Sequence, residues 1–459
     1  MKNITVGLVV DNPQRDLEGL VLVAGRLAKR GLQVLLIPMY KQRFVARFEN
    51  IDVIVLNYLR PNNLDIFLDY KRAGIKVVIL DTEGIAGRDF EEFADLVSES
   101  KMTHLIDLYM FWGSGQMSAV ENRGLVPVGK TVVTGCPRYD FFVDPWSRAI
   151  ETNIPNTDFI LFNTNFPIVN PKFSSGKGDE YKTLLRVGFP DTLARELAEQ
   201  NVIAFAGMKE LIKSVAISMP AQSFVLRPHP FENINGYEDL VGFSNIEVVQ
   251  QGSSNAWISK SKCLVHLNCS TAVEAALMGK PILSPGWLNN TAIFRPLPDA
   301  LSKSVSNTEE MIEMLAEHNL QNITSTSSSD ITRELIHQSF HDIDGKSASR
   351  VTDAIVCLAS ESDYSITIKN RPVMKILKRV FLNLTDQPIL WQIKERFKKL
   401  NKSKYFTAND VDFIVGRLQK VDPSFATLVA MNIHRYDGSK SKFCDVIAVR
   451  LSDKDNLGL

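Results

Sequence analysis

Short apolar runs closed by turn residues recur along the first two thirds of the chain, and segments with helical spacing separate them. Ile4 to Val10 is continuously apolar and stops at Asp11-Asn12-Pro13, the pattern of a strand buried on both faces of a parallel sheet. Leu17 to Lys29 follows with Leu20, Val23, Ala24 and Leu27 on one helical face, and Gly31 closes it. Strands are expected at Val34–Ile37, Asp52–Leu56, Val77–Leu80 and Thr131–Val133. A second series places strands at Phe159–Phe162, Phe224–Leu226, Glu247–Val249, Cys263–Leu267 and Pro281–Leu283, with helices at Val202–Met219 and Ser270–Met278. Strand–helix alternation of this kind implies parallel sheets covered on both faces. The expected fold class is α/β, with two tandem Rossmann-like, doubly wound domains.

At 459 residues the chain suits two or three domains of roughly 100–200 residues each. We expect an N-terminal domain over 1–150 and a second over 151–322. The Ser/Thr-rich loop Ile323–Asp330 and a mostly helical stretch, Ile331–Ser360, make a linker with crossing helices over 323–360, and an extension follows over 361–459. Lys plus Arg equals Asp plus Glu, 52 against 52, which disfavours a dedicated nucleic-acid binder. The five cysteines form no CxxC pair, so neither a zinc site nor a disulfide framework is expected. No signal peptide and no membrane-spanning run is read, and a cytoplasmic location is expected.

Familiar chemical motifs are missing: GxGxxG after the first strand, a GxxxxGK[ST] loop, HExxH and GxSxG. Asp410-Val411-Asp412 reads as a helix start, not a metal site. Polar residues at strand ends remain. Arg227-Pro228-His229-Pro230, with Glu232, holds a cation and an imidazole on a proline-stiffened edge, suited to clamping a phosphate and protonating it, or to a plain rigid loop. His266-Leu267-Asn268-Cys269-Ser270-Thr271 turns a strand into a helix whose start can bind an anion or simply be capped. Glu274, in its first turn, can accept from a ribose or complement the helix dipole. In the first domain, Asp81-Thr82-Glu83-Gly84 offers two carboxylates as base or nucleophile, or as caps. Arg15 and Asp16 can join that wall or pair with each other. Thr134-Gly135-Cys136-Pro137-Arg138-Tyr139-Asp140 suits a hinge turn, and Asn163-Thr164-Asn165 offers amides to a sugar or to the loop backbone.

Arg15-Asp16-Leu17, Asp81-Thr82-Glu83-Gly84, the Gly135-Cys136-Pro137-Arg138-Tyr139-Asp140 element, Asn163-Thr164-Asn165, Arg227-Pro228-His229-Pro230, Ser270-Thr271 and Glu274-Ala275 together resemble the bacterial surface carbohydrate biosynthesis proteins, glycosyltransferases of the GT-B fold. The His-Pro element and the Ser/Thr helix start are similar to those of bacterial sialyltransferases and β-Kdo transferases. The Gly-x-Pro-Arg-x-Asp and Arg-Pro-His-Pro elements are similar to those of CDP-glycerol glycerophosphotransferases. The resemblance covers about residues 1–300. It implies a GT-B glycosyltransferase using a nucleotide sugar, best a CMP-linked ulosonic acid such as Kdo, and a glycan or lipid-linked acceptor. Glycerophosphate or hexose transfer, and a non-catalytic nucleotide-sugar-binding assembly protein, are the alternatives. Under this reading Arg227, His229, Ser270, Thr271 and Glu274 hold the nucleotide phosphate side, and His229 protonates the leaving phosphate. Glu83 is the base or nucleophile with Asp16 second. Arg15, Asp81, Asn163, Asn165 and Arg138 meet sugar or acceptor. No cofactor and no metal is expected, since cations and a helix start can stabilise the leaving phosphate.

From Ile366 to Lys404 eleven basic residues face only Asp386 and Glu395, a net of plus nine. Lys375, Lys378 and Arg379 alternate with Ile376, Leu377 and Val380, a pattern that lies on an anionic membrane or packs as a solvated helix pair. The basic extension is expected to be helical and to place the protein peripherally on the inner face of the cytoplasmic membrane.

Overall fold

The computed structural model describes residues 4–451 except 44, 46–48, 86–87, 152–153, 155–157, 173–179, 187–190, 291, 317–319, 321–322, 324–329, 362–404 and 433–445. The chain divides into two compact units, Met1–Ala149 with His337–Leu459, and Ile150–Ile336.

The first unit is built on β1 (Thr5–Val10), β2 (Gln33–Pro38), β3 (Val53–Leu56), β4 (Lys76–Leu80), β5 (Leu108–Phe111) and β6 (Thr131–Val133). All six run parallel in the order β2-β1-β3-β4-β5-β6. Each residue of β1 is buried, as its unbroken apolar run requires. Helices α1 (Pro13–Lys29), α2 (Leu64–Arg72), α3 (Phe90–Ser98) and α4 (Ser114–Asn122) connect the strands. The Asn12 side chain caps α1 by accepting from the Gln14 N–H, with Pro13 in the first turn. One core cluster joins Ile37, Ile54, Phe67, Tyr70, Phe93 and Phe111.

The second unit holds six parallel strands: β7 (Phe159–Asn163), β8 (Ser223–Arg227), β9 (Ile246–Val248), β10 (Cys263–His266), β11 (Ile282–Pro285) and β12 (Lys303–Val305), in the order β12-β11-β10-β7-β8-β9. Its helices are α5 (Glu180–Arg186), α6 (Asp191–Ser218), α7 (Ser254–Lys260), α8 (Thr271–Leu277), α9 (Pro296–Ala300) and α10 (Thr308–Leu315), and α11 (Asp330–Phe340) returns the chain to the first unit. Met208, Leu211, Ile212 and Val215 of α6 pack with Phe162, Phe224 and Leu226 of the sheet.

The stretch 331–360 is two helices, α11 and α12 (Ser347–Glu361), broken where His341 and Gly345 adopt positive φ. One departure from expectation concerns the C-terminal extension. The described part of the expected separate, helical extension belongs to the first unit. After α13 (Ala408–Val421) it adds β13 (Leu428–Asn432) and β14 (Ile447–Leu451), and β14 pairs antiparallel with β2 so that Ile447 and Val449 are fully buried. Covering the otherwise open β2 edge with buried apolar residues is the physical reason. The basic segment 366–404 lies outside the described residues. Among the described residues, no helix is long and apolar enough to cross a membrane.

Candidate functional site

Each sheet reverses its strand order once, between β1 and β3 in the first unit and between β7 and β10 in the second. Ligands of open α/β sheets bind at the carboxyl ends of strands at such points. Both reversal points carry a buried asparagine whose side chain is not satisfied.

In the second unit, Asn163 ends β7, in register with Arg227 on β8 and His266 on β10. Its Nδ2 donates to Thr271 Oγ1 at 3.0 Å, while its Oδ1 is buried and has no hydrogen-bond partner. A buried acceptor left open costs about 1–3 kcal/mol, which a ligand donor or a water recovers. Thr271 begins α8. Ser270 before it is exposed and its side chain makes no capping bond. Asn165 is exposed two residues beyond the strand.

The Arg227-Pro228-His229-Pro230 loop is fixed from beneath. Glu232 is fully buried. Its Oε1 accepts from His229 N–H at 2.8 Å and from Thr164 Oγ1 at 2.9 Å, and its Oε2 accepts from Tyr237 Oη at 2.5 Å. Burial raises the Glu232 carboxyl, and bonds from Tyr237, His229, Phe166 and Thr164 oppose that rise. Gln250 Nε2 bridges the carbonyls of His229 and Glu232 at 2.8 and 2.9 Å. His229 Nδ1 accepts from the Phe231 N–H at 3.2 Å, so in the neutral ring the proton resides on Nε2. Nε2–H is therefore the donor this histidine can present.

Arg227 is placed differently from a free phosphate clamp. Its NH1 and NH2 donate to the carbonyls of Gln251 and Gly252 at 2.6 and 3.0 Å, and the guanidinium lies 5.5 Å from the Trp257 ring centre. Burial lowers its pKa to about 10, opposed by Glu274. Its first task is to hold the 250–252 turn, with its charge felt at the sheet edge. Glu274 is buried and accepts from Ser254 Oγ at 3.3 Å. His266 is structural. Burial pushes it down to about 3, and its Nε2 meets Ser302 Oγ at 2.8 Å.

In the first unit, Arg15, Asp16, Asp81, Glu83 and Arg138 gather at the carboxyl ends of β1, β4 and β6. Arg15 grips Asp16 with Nε and NH2 at 2.7 and 3.1 Å, and reaches Asp11 at 3.2 Å. Asp16 also accepts from the Asn12 N–H at 3.0 Å. Asp16 is thus an ion-paired cap, with both oxygens engaged. Asp81 is equally committed. Its Oδ2 accepts from Arg60 NH2 at 3.1 Å and Tyr109 Oη at 3.0 Å, and its Oδ1 from the Glu83 N–H at 2.9 Å. Both acids serve position more than substrate contact. Arg138 lies between aromatic rings, 4.8 Å from Tyr139 and 5.3 Å from Trp112.

Glu83 differs. The residue is exposed on the turn after β4. Protein crowding its carboxyl displaces water and raises its pKa; Asp81 and Asp11 add to the rise, and Arg15 and Arg60 oppose it. An accessible carboxylate with a raised pKa suits general-base work. Gly84 is required beside it, since a Cβ would stand 2.5 Å from the Trp112 ring. Burial pushes the Cys136 thiol up to about 12, which disfavours it as a nucleophile at neutral pH.

Asn57, directly after β3, was missed by sequence reasoning; its signal was an amide ending an apolar run. It is 2% exposed, and apart from an approach to the Tyr58 hydroxyl its side-chain atoms have no hydrogen-bond partner. It lines a cavity of about 30 Å³ with Val9, Asp16, Asp81, Trp112 and Arg138, room for about two waters.

No protein-family profile and no curated protein matches this sequence. Solved structures do match in fold. S. aureus MnaA with UDP aligns at TM-score 0.51 and 12% identity over 79% of this chain and 99% of its own. The UDP-GlcNAc 2-epimerase of Methanocaldococcus jannaschii gives 0.50 and 12% over 77% and 99%. A variant of the wall teichoic acid polymerase TagF with CDPG gives 0.50 and 11% over 79% and 90%. The chain has the fold of these proteins, two Rossmann-type units of the GT-B class.

Proposed function

We propose that the chain is a transferase of surface-carbohydrate assembly, which takes its group from a nucleotide-activated donor. The observation that carries this reading is the open Asn163 acceptor at the reversal point of the second sheet, beside Thr271 and the rigid His229 loop. A nucleotide presents hydroxyl donors for such an acceptor and phosphate oxygens for an imidazole N–H and hydroxyls. The structural neighbours with UDP and with CDPG support a nucleotide ligand for this fold.

The donor proposed is cytidine-based, with a CMP-linked ulosonic acid such as Kdo as its finer form. His229 donates its Nε2 proton toward the departing phosphate oxygen, easing cleavage of the sugar–oxygen bond. Glu83 takes the proton of the acceptor hydroxyl as its oxygen bonds to the sugar carbon. The acceptor is a glycan or a lipid-linked chain, and no cofactor is invoked. A second reading, glycerophosphate transfer from CDP-glycerol, is favoured by the TagF likeness and the two motifs shared with that class.

Thermal-shift titration with CMP, CDP, UDP and GDP tests the ligand, since a ligand that binds only the native state raises its stability by mass action. A shift with cytidine nucleotides is expected, and none with any of the four refutes the proposal. Turnover of a CMP-ulosonic acid against CDP-glycerol then separates the two readings. Nucleotide binding without any turnover identifies a binding protein instead.

A further inference from the structure

We propose that His337, His341 and Asp342 form a binding site for a divalent transition metal of the zinc class, apart from the residues assigned to transfer. His337 lies in the last turn of α11, and the His341 N–H still donates to the His337 carbonyl at 2.8 Å. The two histidines are therefore one helical turn apart, with ring centres 5.7 Å from each other. At His341 the backbone turns left-handed, with φ at 59°. Glycine or asparagine is usual at that position after a helix. The turn brings Asp342 back against both rings. Its Oδ1 lies 3.5 Å from His337 Nδ1, and its Oδ2 lies 3.8 Å from His341 Nε2.

One nitrogen from each ring and one carboxylate oxygen all lie within 4.8 Å of one another. With metal–ligand bonds of about 2.0–2.1 Å, neighbouring ligands of a tetrahedral zinc ion stand roughly 3.3 Å apart. Small rotations of solvent-accessible side chains close the difference. Two imidazoles and a carboxylate select zinc, cobalt, nickel or copper over magnesium and calcium. Three protein ligands leave a fourth position for water.

The segment between the ligands gives the site a consequence. Phe340 is buried 4.6 Å from the Tyr139 ring and 5.9 Å from Trp112. The Ser339 carbonyl accepts from Gln116 Nε2 at 2.9 Å. Trp112 in turn donates from Nε1 to the Asp81 carbonyl at 2.6 Å. A metal gripping both sides of this segment stiffens the wall behind Asp81 and Glu83, a structural role and not a chemical one.

The test uses the untagged full chain, stripped of metal, titrated calorimetrically with zinc and, separately, with cobalt while the visible ligand-field absorption is followed. One zinc per chain, a cobalt band displaced by zinc, and no response to magnesium are expected. His337→Gln and His341→Gln each weaken zinc binding by roughly tenfold or more, since even outer-shell changes cost that much. The double variant loses the cobalt band and the zinc-induced rise in Tm. Both side chains are accessible, so these variants fold, which circular dichroism verifies. Zinc binding of equal affinity in the double variant, or none by the wild-type chain, overturns the proposal.

Discussion

Replacing Glu232 separates its charge from its shape. In Glu232→Ala the His229 N–H and the Phe166 N–H lose their acceptor, and because Tyr237 can turn to Thr164, one hydroxyl of that pair loses its acceptor too. Each buried donor left open costs about 1–3 kcal/mol, so the loss is about 3–9 kcal/mol before any cavity is counted. Glu232→Gln leaves a consistent alternative. Its amide N–H donates to Tyr237 Oη, and Tyr237 turns its own proton to Thr164 Oγ1, already 2.9 Å away. Thr164 then donates to the new carbonyl, which also accepts the His229 N–H. His229, Thr164 and Tyr237 keep their partners and only the Phe166 N–H contends with the new amide, so the expected loss is about 1–3 kcal/mol, less than in the alanine variant.

The two variants also differ in pH dependence. Burial raises the Glu232 carboxyl above its ordinary 4.5 in the folded chain. Its contribution is therefore full below the unfolded value and declines as pH rises through the folded value. Glutamine carries no such term, so Glu232→Gln gains on the wild type as pH is raised from about 4.5. Urea unfolding at a series of pH values reads both effects. An alanine variant as stable as the glutamine variant, or a glutamine variant that loses ground as pH rises, refutes this account of the loop.

Four further outcomes are expected. His229→Ala lowers turnover by roughly a hundredfold or more with the fold intact, in the range of general acid catalysis, and near-wild-type turnover removes its assignment. Glu83→Gln abolishes transfer while the nucleotide-induced Tm shift is retained; in the wild type the acidic limb of the pH–rate profile, where rate rises as Glu83 loses its proton, lies above the ordinary carboxyl value of 4.5 because crowding and Asp81 raise this group. Asp81→Asn leaves Arg60, whose side chain is only 11% exposed, without its charge partner, and costs about 3–5 kcal/mol in urea unfolding. Neutralising Lys375, Lys378 and Arg379 together releases the chain from anionic vesicles in a sedimentation assay, each charge contributing about 1 kcal/mol of attraction; substitution is the right perturbation because truncation after 360 also deletes β14 from the first sheet.

Strands buried on both faces were legible because such strands read as unbroken apolar runs, and β1, β4 and β8 stand within a residue of expectation at each end. β12 was not, because two of its three residues are exposed and an edge strand carries little apolar signal. β5 was overlooked in the short run Leu-Tyr-Met-Phe between Asp107 and Trp112. α6 begins at Asp191, well before the expected Val202, and buries Ala194, Leu197 and Ala198 in its first turns. β14 depends on a partner strand more than four hundred residues earlier, and no local pattern encodes that pairing.

The candidate site was legible at the level of which strand ends bear polar residues, and illegible in how those residues are employed. For Arg15 and Asp16 the sequence leaves both a substrate role and a mutual ion pair open, and they pair; Asp81 and Arg227, read as groups offered to substrate, spend their bonds on a neighbour or on backbone. Sequence names a charge without its partner: Arg60 stands 21 positions before Asp81, and the Gln251 carbonyl 24 after Arg227. The residues that structure elevates are neutral or hidden. Asn57 and Asn163 stand out only because folding buries their amides and leaves atoms unsatisfied. An asparagine at a strand end is common in any sequence; a buried one with an open acceptor at a reversal of strand order is not. Cations fix these loops, and the amides left open at the reversal points are the groups the proposed nucleotide would meet, with charge acting from the layer behind.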